Sequence, residues 1–175
     1  MRTFLLGGAR SGKSSLAARW AAERSKSVCC VVTATVTDEE MAARIEAHRR
    51  ERPEHWRVHE EPRQLSAAVR EESRAGGLLL VDCLTLWTAN CLWPPPHDSE
   101  PDIAGWHAER DAFLTSVLTT PNEIIIVSNE VGTSLVPENA AARLFRDEQG
   151  RLNQLVAGVC DAVYLVTAGL PLRLK

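Results

Sequence analysis

The stretch Gly7-Gly8-Ala9-Arg10-Ser11-Gly12-Lys13-Ser14 satisfies the pattern G-x-x-x-x-G-K-[S/T]. An apolar segment, residues 3–6, precedes it, and an alanine-rich, helix-like segment follows from Lys13. Glycines let backbone N–H groups turn inward around phosphate oxygens, and the helix N-terminus adds the positive end of its dipole. The lysine can bridge the β and γ phosphates, and the serine hydroxyl can bind Mg²⁺. The stretch therefore predicts a P-loop for a nucleoside triphosphate, although it names a ligand and not a reaction.

Apolar segments alternate with helix-like segments along the whole chain. The predicted strands are 3–6, 28–33, 78–82, 123–128 and 162–167, with shorter candidates at 56–60 and 172–174. The predicted helices are 13–25, 38–52, 64–74, 84–92, 104–118 and 137–160, with Gly150 as a candidate break in the last. The main strands are continuously apolar, which is typical of parallel strands covered on both faces. We therefore expect an α/β, P-loop NTPase-like fold with a mostly parallel central sheet flanked by helices.

Length and composition narrow the class of protein. The 175 residues fit one domain, 1–175, and the formal net charge of −3 argues against general nucleic-acid binding. No segment approaches the roughly 20 apolar residues that span a bilayer. The five cysteines form no C-x-x-C pattern, so we expect free thiols in a cytoplasmic protein rather than disulfides or a zinc site.

Acidic and polar side chains end two of the predicted strands. Asp82 ends the strand 78–82, and such a position lies at the carboxyl edge of the sheet, where α/β folds bind ligands. We expect Asp82 to hold Mg²⁺ together with Ser14. Ser128-Asn129-Glu130 ends another strand in the same way, and catalytic and supporting roles both remain open for it.

The predicted helix 38–52 carries a histidine among arginines. Thr37 with Glu40 forms a capping-box pattern at its start. Helical spacing places His48 beside Arg44 and Arg52, which would disfavour the protonated imidazole and attract phosphate. A neutral imidazole is a competent nucleophile toward phosphorus. The pattern alone leaves open the alternative of a solvated surface histidine.

Six blocks of sequence support a family resemblance. They are GGARSGKS at 7–14, TATVTDEEMAARIEAHRRERPEHW at 33–56, VDCLTLW at 81–87, VSNEVGTSLVPENAAARLFRD at 127–147, GRLNQ at 150–154 and AGLPLRLK at 168–175. The chain resembles the bifunctional adenosylcobinamide kinase / adenosylcobinamide-phosphate guanylyltransferase family of cobalamin biosynthesis. The blocks cover most of the chain in order, and only the region near 93–118 lacks a match.

The resemblance implies two reactions on a corrinoid. A nucleoside triphosphate, ATP or GTP, would phosphorylate the aminopropanol hydroxyl of adenosylcobinamide with Mg²⁺. GTP would then transfer GMP to adenosylcobinamide phosphate through a covalent intermediate on a histidine, which the motif places at His48, giving adenosylcobinamide-GDP and pyrophosphate. The resemblance also implies a homotrimer. The nucleotide contacts that it implies are residues 7–14, Thr33, Ala34, Thr35, Arg49, Arg50, Glu51, Arg52, Glu60 and Asp82, with Glu61 equally placed by spacing alone.

Several other side chains carry weaker hypotheses. Arg143, Arg146 and Arg151 either form surface pairs or close over a triphosphate. Trp87, Trp93 and Trp106 are either core residues or faces for a corrin ring. His55 and His59 fall outside the matched histidine motif, and His97 and His107 lie in the unmatched region. Two rival functions remain: a plain small-molecule kinase without guanylyl transfer, which has no use for His48, and a nucleotide-dependent regulatory switch.

Overall fold

The computed structural model describes residues 1–35, 39–50, 52–73, 77–95 and 100–175, apart from the side chains of Glu40, Met41, Arg44, Ala47 and His48. The strands β1 to β7 are Arg2–Gly7, Val28–Val32, Arg57–Glu60, Leu78–Asp82, Glu123–Asn129, Ala162–Thr167 and Leu170–Arg173. The helices α1 to α6 are Lys13–Arg24, Glu39–Arg50, Leu65–Ser73, Leu84–Leu92, Ile103–Thr119 and Ala140–Val159. The elements predicted from sequence are all present.

The strands form one seven-stranded sheet in the order β3-β2-β4-β5-β1-β6-β7. Every pair is parallel except β6–β7, which is an antiparallel hairpin at one edge. Two strands end in the predicted site, β1 at the P-loop and β4 at Asp82, and β5 lies between them. The predicted α/β fold with a mostly parallel sheet is confirmed.

Helix α6 corrects one detail of the sequence analysis. It runs without interruption from Ala140 to Val159, so the break considered at Gly150 is wrong. A glycine costs a helix interior only about 1 kcal/mol relative to alanine. Gln149, Leu152 and Asn153 on either side of it are buried, and their packing holds the helix together.

Two apolar layers cover the sheet. Helices α3 to α6 pack on one face, and α1 with Trp56 packs on the other. Trp87 and Trp106 are fully buried on the α3–α6 face, where their rings meet edge to face with centroids 5.0 Å apart. These two indoles therefore belong to the core and do not face a corrin ring.

None of the helices in the described ranges has the length and apolar character needed to cross a membrane. All five cysteines are free thiols, as the sequence indicated. Burial raises the pKa of Cys30 and Cys91 to about 12, so these thiols stay protonated and pack as small apolar side chains.

A buried carboxylate ties α5 to α6. Glu148 is 3% exposed and accepts hydrogen bonds from Trp106 Nε1 at 2.8 Å and His107 Nε2 at 3.2 Å, and it pairs with Arg151. Burial alone would raise the pKa of Glu148, but the hydrogen bonds from Trp106, Arg151 and His107 outweigh it and lower the pKa below the ordinary value of 4.5. Arg151 therefore has a structural partner in this cluster.

We expect the Glu148 cluster to make the free energy of unfolding decrease at acid pH. A lowered folded-state pKa gives stabilisation that is present above the unfolded-state pKa and is lost as the pH falls through the folded-state value. Glu148→Gln should be less stable than wild type at pH 7, by about 1–3 kcal/mol. The variant should also lose less free energy of unfolding than wild type when the pH is lowered from 7 to below 4.5, the ordinary pKa of a glutamate. Urea unfolding at pH 7 and below pH 4.5 measures both differences. Glu138→Gln, at an exposed glutamate preceding α6, is the control, and equal pH dependence in the Glu148 variant and wild type would contradict the assignment.

Candidate active site

The P-loop connects β1 to α1 through a tight backbone path. A Cβ on Gly7 would lie 2.5 Å from Ser11 Oγ and 2.6 Å from the Val166 carbonyl oxygen. Gly12 has a φ of 88°, in the left-handed region that glycine adopts without strain. Both positions therefore require glycine, which explains their place in the pattern.

The loop carries buried polar side chains. Lys13 is 8% exposed, and its Nζ donates to the Gly8 carbonyl oxygen at 3.1 Å, across the loop. Ser11 Oγ is buried and has no hydrogen-bond partner in the described part of the chain. The Gly169 N–H, in the β6–β7 turn, supports the loop from outside by donating to the Ser11 carbonyl oxygen at 2.8 Å. The loop is thus held in shape by a contact across it and by the β6–β7 turn.

Ser14 and Asp82 meet as the sequence predicted. Ser14 Oγ, in the first turn of α1, donates to Asp82 Oδ1 at 3.4 Å. A hydroxyl and a carboxylate are oxygen ligands of the type that Mg²⁺ prefers, and they lie beside the loop that would hold the phosphates. The residues present therefore fit a magnesium ion bound between a triphosphate and the end of β4.

The predicted contacts after β2 divide into two kinds. Thr33 is fully buried, and its hydroxyl donates to the Cys83 carbonyl oxygen at 2.6 Å and accepts from the Cys83 N–H at 3.2 Å. Its side chain therefore joins the ends of β2 and β4. Ala34 is half-buried and Thr35 exposed at the same edge of the sheet, where a ligand can reach them.

The structure separates Glu60 from Glu61. Glu60, at the end of β3, pairs with Arg49 of α2. Glu61 Oε1 instead accepts from the N–H groups of Arg63 and Gln64 at 2.9 and 2.8 Å, which caps the start of α3. Of these two carboxylates, Glu60 is the one that pairs with an arginine of α2.

Arg52 lies beside Ser14 and Asp82, the two predicted Mg²⁺ ligands. It lines a small cavity on the α1 face together with Ser14, Asp82 and Trp56. The indole Nε1 of Trp56 is buried there without a hydrogen-bond partner among the described atoms. Sequence reasoning gave Trp56 no role, because an aromatic side chain beside a short strand usually reads as core. Arg50, by contrast, pairs with Glu46 one helical turn earlier, at 3.0 Å.

Not every predicted site residue can be placed. His48 lies in α2, but its side chain and that of Arg44 are outside the described atoms, and Thr37 and Glu51 are outside the described residues. His59 Nδ1 lies 3.0 Å from Glu72 Oε1, which indicates a structural role.

Two of the arginines on α6 hold the segment that precedes it. Arg143 Nη1 donates to the Pro137 carbonyl oxygen at 3.0 Å, and Arg146 Nη2 donates to that of Gly132 at 3.1 Å. Their observed contacts are therefore with the β5–α6 segment, which continues from Glu130 beside the P-loop.

Comparison with known sequences gives a full-length match. The sequence model of a family described as cobinamide kinase / cobinamide phosphate guanyltransferase matches residues 3–174. The bifunctional adenosylcobalamin biosynthesis protein CobP of Pseudomonas aeruginosa is 47% identical, with 100% of this chain and 98% of that protein covered. The corresponding CobU of Escherichia coli K12 is 36% identical, with 100% of both chains covered.

Comparison with solved structures supports the fold alone. An ATPase from the type III secretion system of pathogenic bacteria superposes with a TM-score of 0.58 over 95% of this chain and 51% of its own, at 12% identity. The ATPase EscN of enteropathogenic E. coli gives a TM-score of 0.54 over 95% and 42%. The chain therefore shares the fold of P-loop ATPases.

Lys13→Ala should weaken triphosphate binding without unfolding the protein. The ammonium group is one of the main positive charges in the loop, and removal of one preorganised charged contact costs about 1.5–3 kcal/mol, or roughly ten- to a hundredfold in affinity. Titration with a fluorescent nucleotide measures the change. Lys26→Ala, at an exposed lysine after α1, should bind as wild type does. Unchanged affinity in a folded Lys13→Ala protein would contradict the P-loop assignment.

Proposed function

This chain belongs to the cobinamide kinase / cobinamide phosphate guanyltransferase family, and we propose that its single domain carries both activities. The observation that carries the proposal is the convergence of Arg52, which follows the helix of His48, with Ser14 and Asp82 around one cavity. The cavity thus brings the segment that follows α2 next to Ser14, the last residue of the P-loop, which supports the proposal. The two reactions share a nucleotide and differ in the group that attacks it.

In the kinase reaction, the aminopropanol hydroxyl of adenosylcobinamide attacks the γ-phosphorus of a nucleoside triphosphate. Little covalent chemistry is required of the protein, so positioning and charge stabilisation supply the rate. The P-loop, residues 7–14, holds the phosphates, and Lys13 offsets negative charge that develops on the transferred phosphoryl group. When bound by Ser14 and Asp82, Mg²⁺ would neutralise phosphate charge and fix the triphosphate geometry.

In the guanylyltransferase reaction, we propose that His48 is the nucleophile. An imidazole nitrogen forms a bond to the α-phosphorus of GTP while the bond to the bridging oxygen breaks and pyrophosphate leaves. A phosphate oxygen of adenosylcobinamide phosphate then attacks the same phosphorus and releases the histidine. Arg49, near the end of α2, and Arg52, just after it, carry guanidinium groups of the kind that bind phosphate.

The protein's location and assembly are part of this proposal. Its five free cysteines, four of them buried, suit a reducing compartment, and we place the protein in the cytoplasm. We also propose the homotrimer that the family resemblance implied. The edge strand β7 offers an apolar surface for subunit contact, since Leu170, Leu172 and the following Leu174 are each more than half exposed. Light scattering of the purified protein measures the mass.

His48→Ala should abolish guanylyl transfer, because the covalent step loses its nucleophile. Incubation of wild type with α-labelled GTP should leave an acid-labile, alkali-stable label on the denatured chain, and adenosylcobinamide phosphate should chase it into product. Kinase activity should partly persist in His48→Ala, since in-line phosphoryl transfer uses the P-loop instead.

His55→Ala is the matched control for the histidine test. His55 is exposed and lies seven positions after His48, and its variant should keep the labelled adduct. An adduct that survives His48→Ala would show that another group is the nucleophile. Absence of an adduct on wild type would favour a plain kinase.

Asp82→Asn should raise the Mg²⁺ concentration required by both reactions. A neutral amide is a poorer ligand for a hard cation than a carboxylate, while its shape is nearly the same. Activity titrated against free Mg²⁺ should therefore shift to higher concentration, and EDTA should abolish both wild-type activities. Asp111→Asn, at an exposed aspartate on α5, is the control. An unchanged Mg²⁺ requirement in Asp82→Asn would remove Asp82 from the metal site.

A further inference from the structure

The steps proposed for the two reactions assign no role to Asn129, at the end of β5. In the sheet, Asn129 pairs with Gly7, the first residue of the P-loop, and Val127 pairs with Asp82. Adjacent strands lie about 4.8 Å apart, so Asn129 lies directly beside the start of the P-loop, and its strand is the immediate neighbour of β4. This position follows from the insertion of β5 between β1 and β4.

The alternation of side chains shows which way Asn129 points. Ile125 and Val127 of β5 pack on the α1 face, as do Leu78 and Leu80 of β4. Because side chains alternate along a strand, Asn129 and Asp82 continue these two rows on that face. Asn129 and Asp82 thus project from the carboxyl edge on the same side as the P-loop helix.

The main chain of Asn129 is fixed from the opposite face. Its N–H donates to Thr85 Oγ1 at 2.9 Å, and its carbonyl oxygen accepts from Asn153 Nδ2 at 3.0 Å. The neighbouring Ser128 Oγ donates to Asn153 Oδ1 at 2.8 Å and accepts from Gln149 Nε2 at 2.9 Å. Groups from α4 and α6 therefore hold the strand end in place without involving the Asn129 side chain.

That side chain carries an unused acceptor. Asn129 Oδ1 is shielded from solvent and has no hydrogen-bond partner within the described residues. A buried polar atom without a partner costs stability, so its retention beside the P-loop points to a ligand that completes it. Phosphate oxygens are acceptors and cannot do so. The missing partner must be a hydrogen-bond donor or a cation, and the Mg²⁺ requirement of an Asn129 variant tells the two apart.

We propose that Asn129 Oδ1 accepts a hydrogen bond from the hydroxyl of the corrinoid aminopropanol arm and orients it for the kinase reaction. This inference rests on the proposed function. In that step the hydroxyl oxygen forms a bond to the γ-phosphorus, and the bond from the γ-phosphorus to the β,γ-bridging oxygen breaks. The electron pair leaves with the nucleoside diphosphate, and the hydroxyl proton passes to an oxygen of the transferred phosphoryl group and then to solvent. The amide oxygen fixes the direction of attack and takes no proton.

Comparison of the two reactions distinguishes a role of Asn129 in positioning the hydroxyl from a role in both reactions. The hydroxyl takes part only in the kinase reaction, whereas guanylyl transfer uses an imidazole and then a phosphate oxygen. Asn129→Ala should lower the kinase kcat by about 100-fold, the usual loss when one positioned hydrogen bond is removed. Its KM for ATP and its rate of GMP adduct formation should stay within a factor of about three, because the shared P-loop is intact. Asn129→Asp keeps an acceptor oxygen at the same atom and should recover part of the kinase rate.

Asn122→Ala is the matched control. Asn122 immediately precedes the same strand at its opposite end, is buried, and donates from Nδ2 to the Gly77 carbonyl oxygen at 2.6 Å. Its loss should lower thermal stability while leaving the ratio of the two activities unchanged. Equal losses of both activities in Asn129→Ala, a raised Mg²⁺ requirement, or an unchanged kinase rate would each overturn the proposal. Wild-type protein without kinase activity would instead overturn the proposed function on which it rests.

Discussion

The position of β1 between β5 and β6 is the constraint on which the site depends. Its hydrogen-bonded pairing with both neighbours fixes the point at which the chain leaves the sheet at Gly7. There the Val166 carbonyl oxygen and Ser11 Oγ approach too closely for any side chain. The loop that follows passes through Gly12, whose φ of 88° glycine adopts without strain, and ends in the N-terminus of α1. Phosphate binding is therefore a consequence of sheet register as much as of the motif.

A buried polar network holds the carboxyl edge rigid on the side away from the P-loop. Ser128, Gln149 and Asn153 share three hydrogen bonds beneath the end of β5, while Gln149 Oε1 is buried without a hydrogen-bond partner in the described part of the chain. Buried hydrogen bonds of this kind favour one arrangement of the elements that they join. The helices α4 and α6 thus fix the strand ends from one face, and α1 with Arg52 presents the reactive groups from the other. Buried polar atoms without a partner among the described residues occur on both sides, at Ser11, Trp56 and Asn129 on the binding side and at Gln149 on the other.

Much of the fold could be predicted because the signals are local. Continuous apolar runs predicted the strands, the glycine pattern with its flanking elements predicted the P-loop, and the end of the strand 78–82 pointed to Asp82. Strand order is a different matter, because hydrophobic runs carry no information about which strands are neighbours. The place of β5 beside Gly7, and with it the significance of Asn129, therefore required the structure. Sequence spacing also could not distinguish Glu60 from Glu61. The structure does, because Glu61 caps the start of α3 and Glu60 pairs with Arg49.

The contact between Gly169 and Ser11 has a consequence for synthesis on the ribosome. The chain makes its phosphate loop early, but β6 and the turn that supports the loop are made much later; Arg2 and Asp161, which join the two regions, are 159 positions apart. A nascent chain that lacks this region has β1 paired on one side at most. The pairing of β1 with β6 and the support of the P-loop by Gly169 therefore form only after that region has been made. Such long-range closure slows folding and leaves strand edges open to chaperones in the interval.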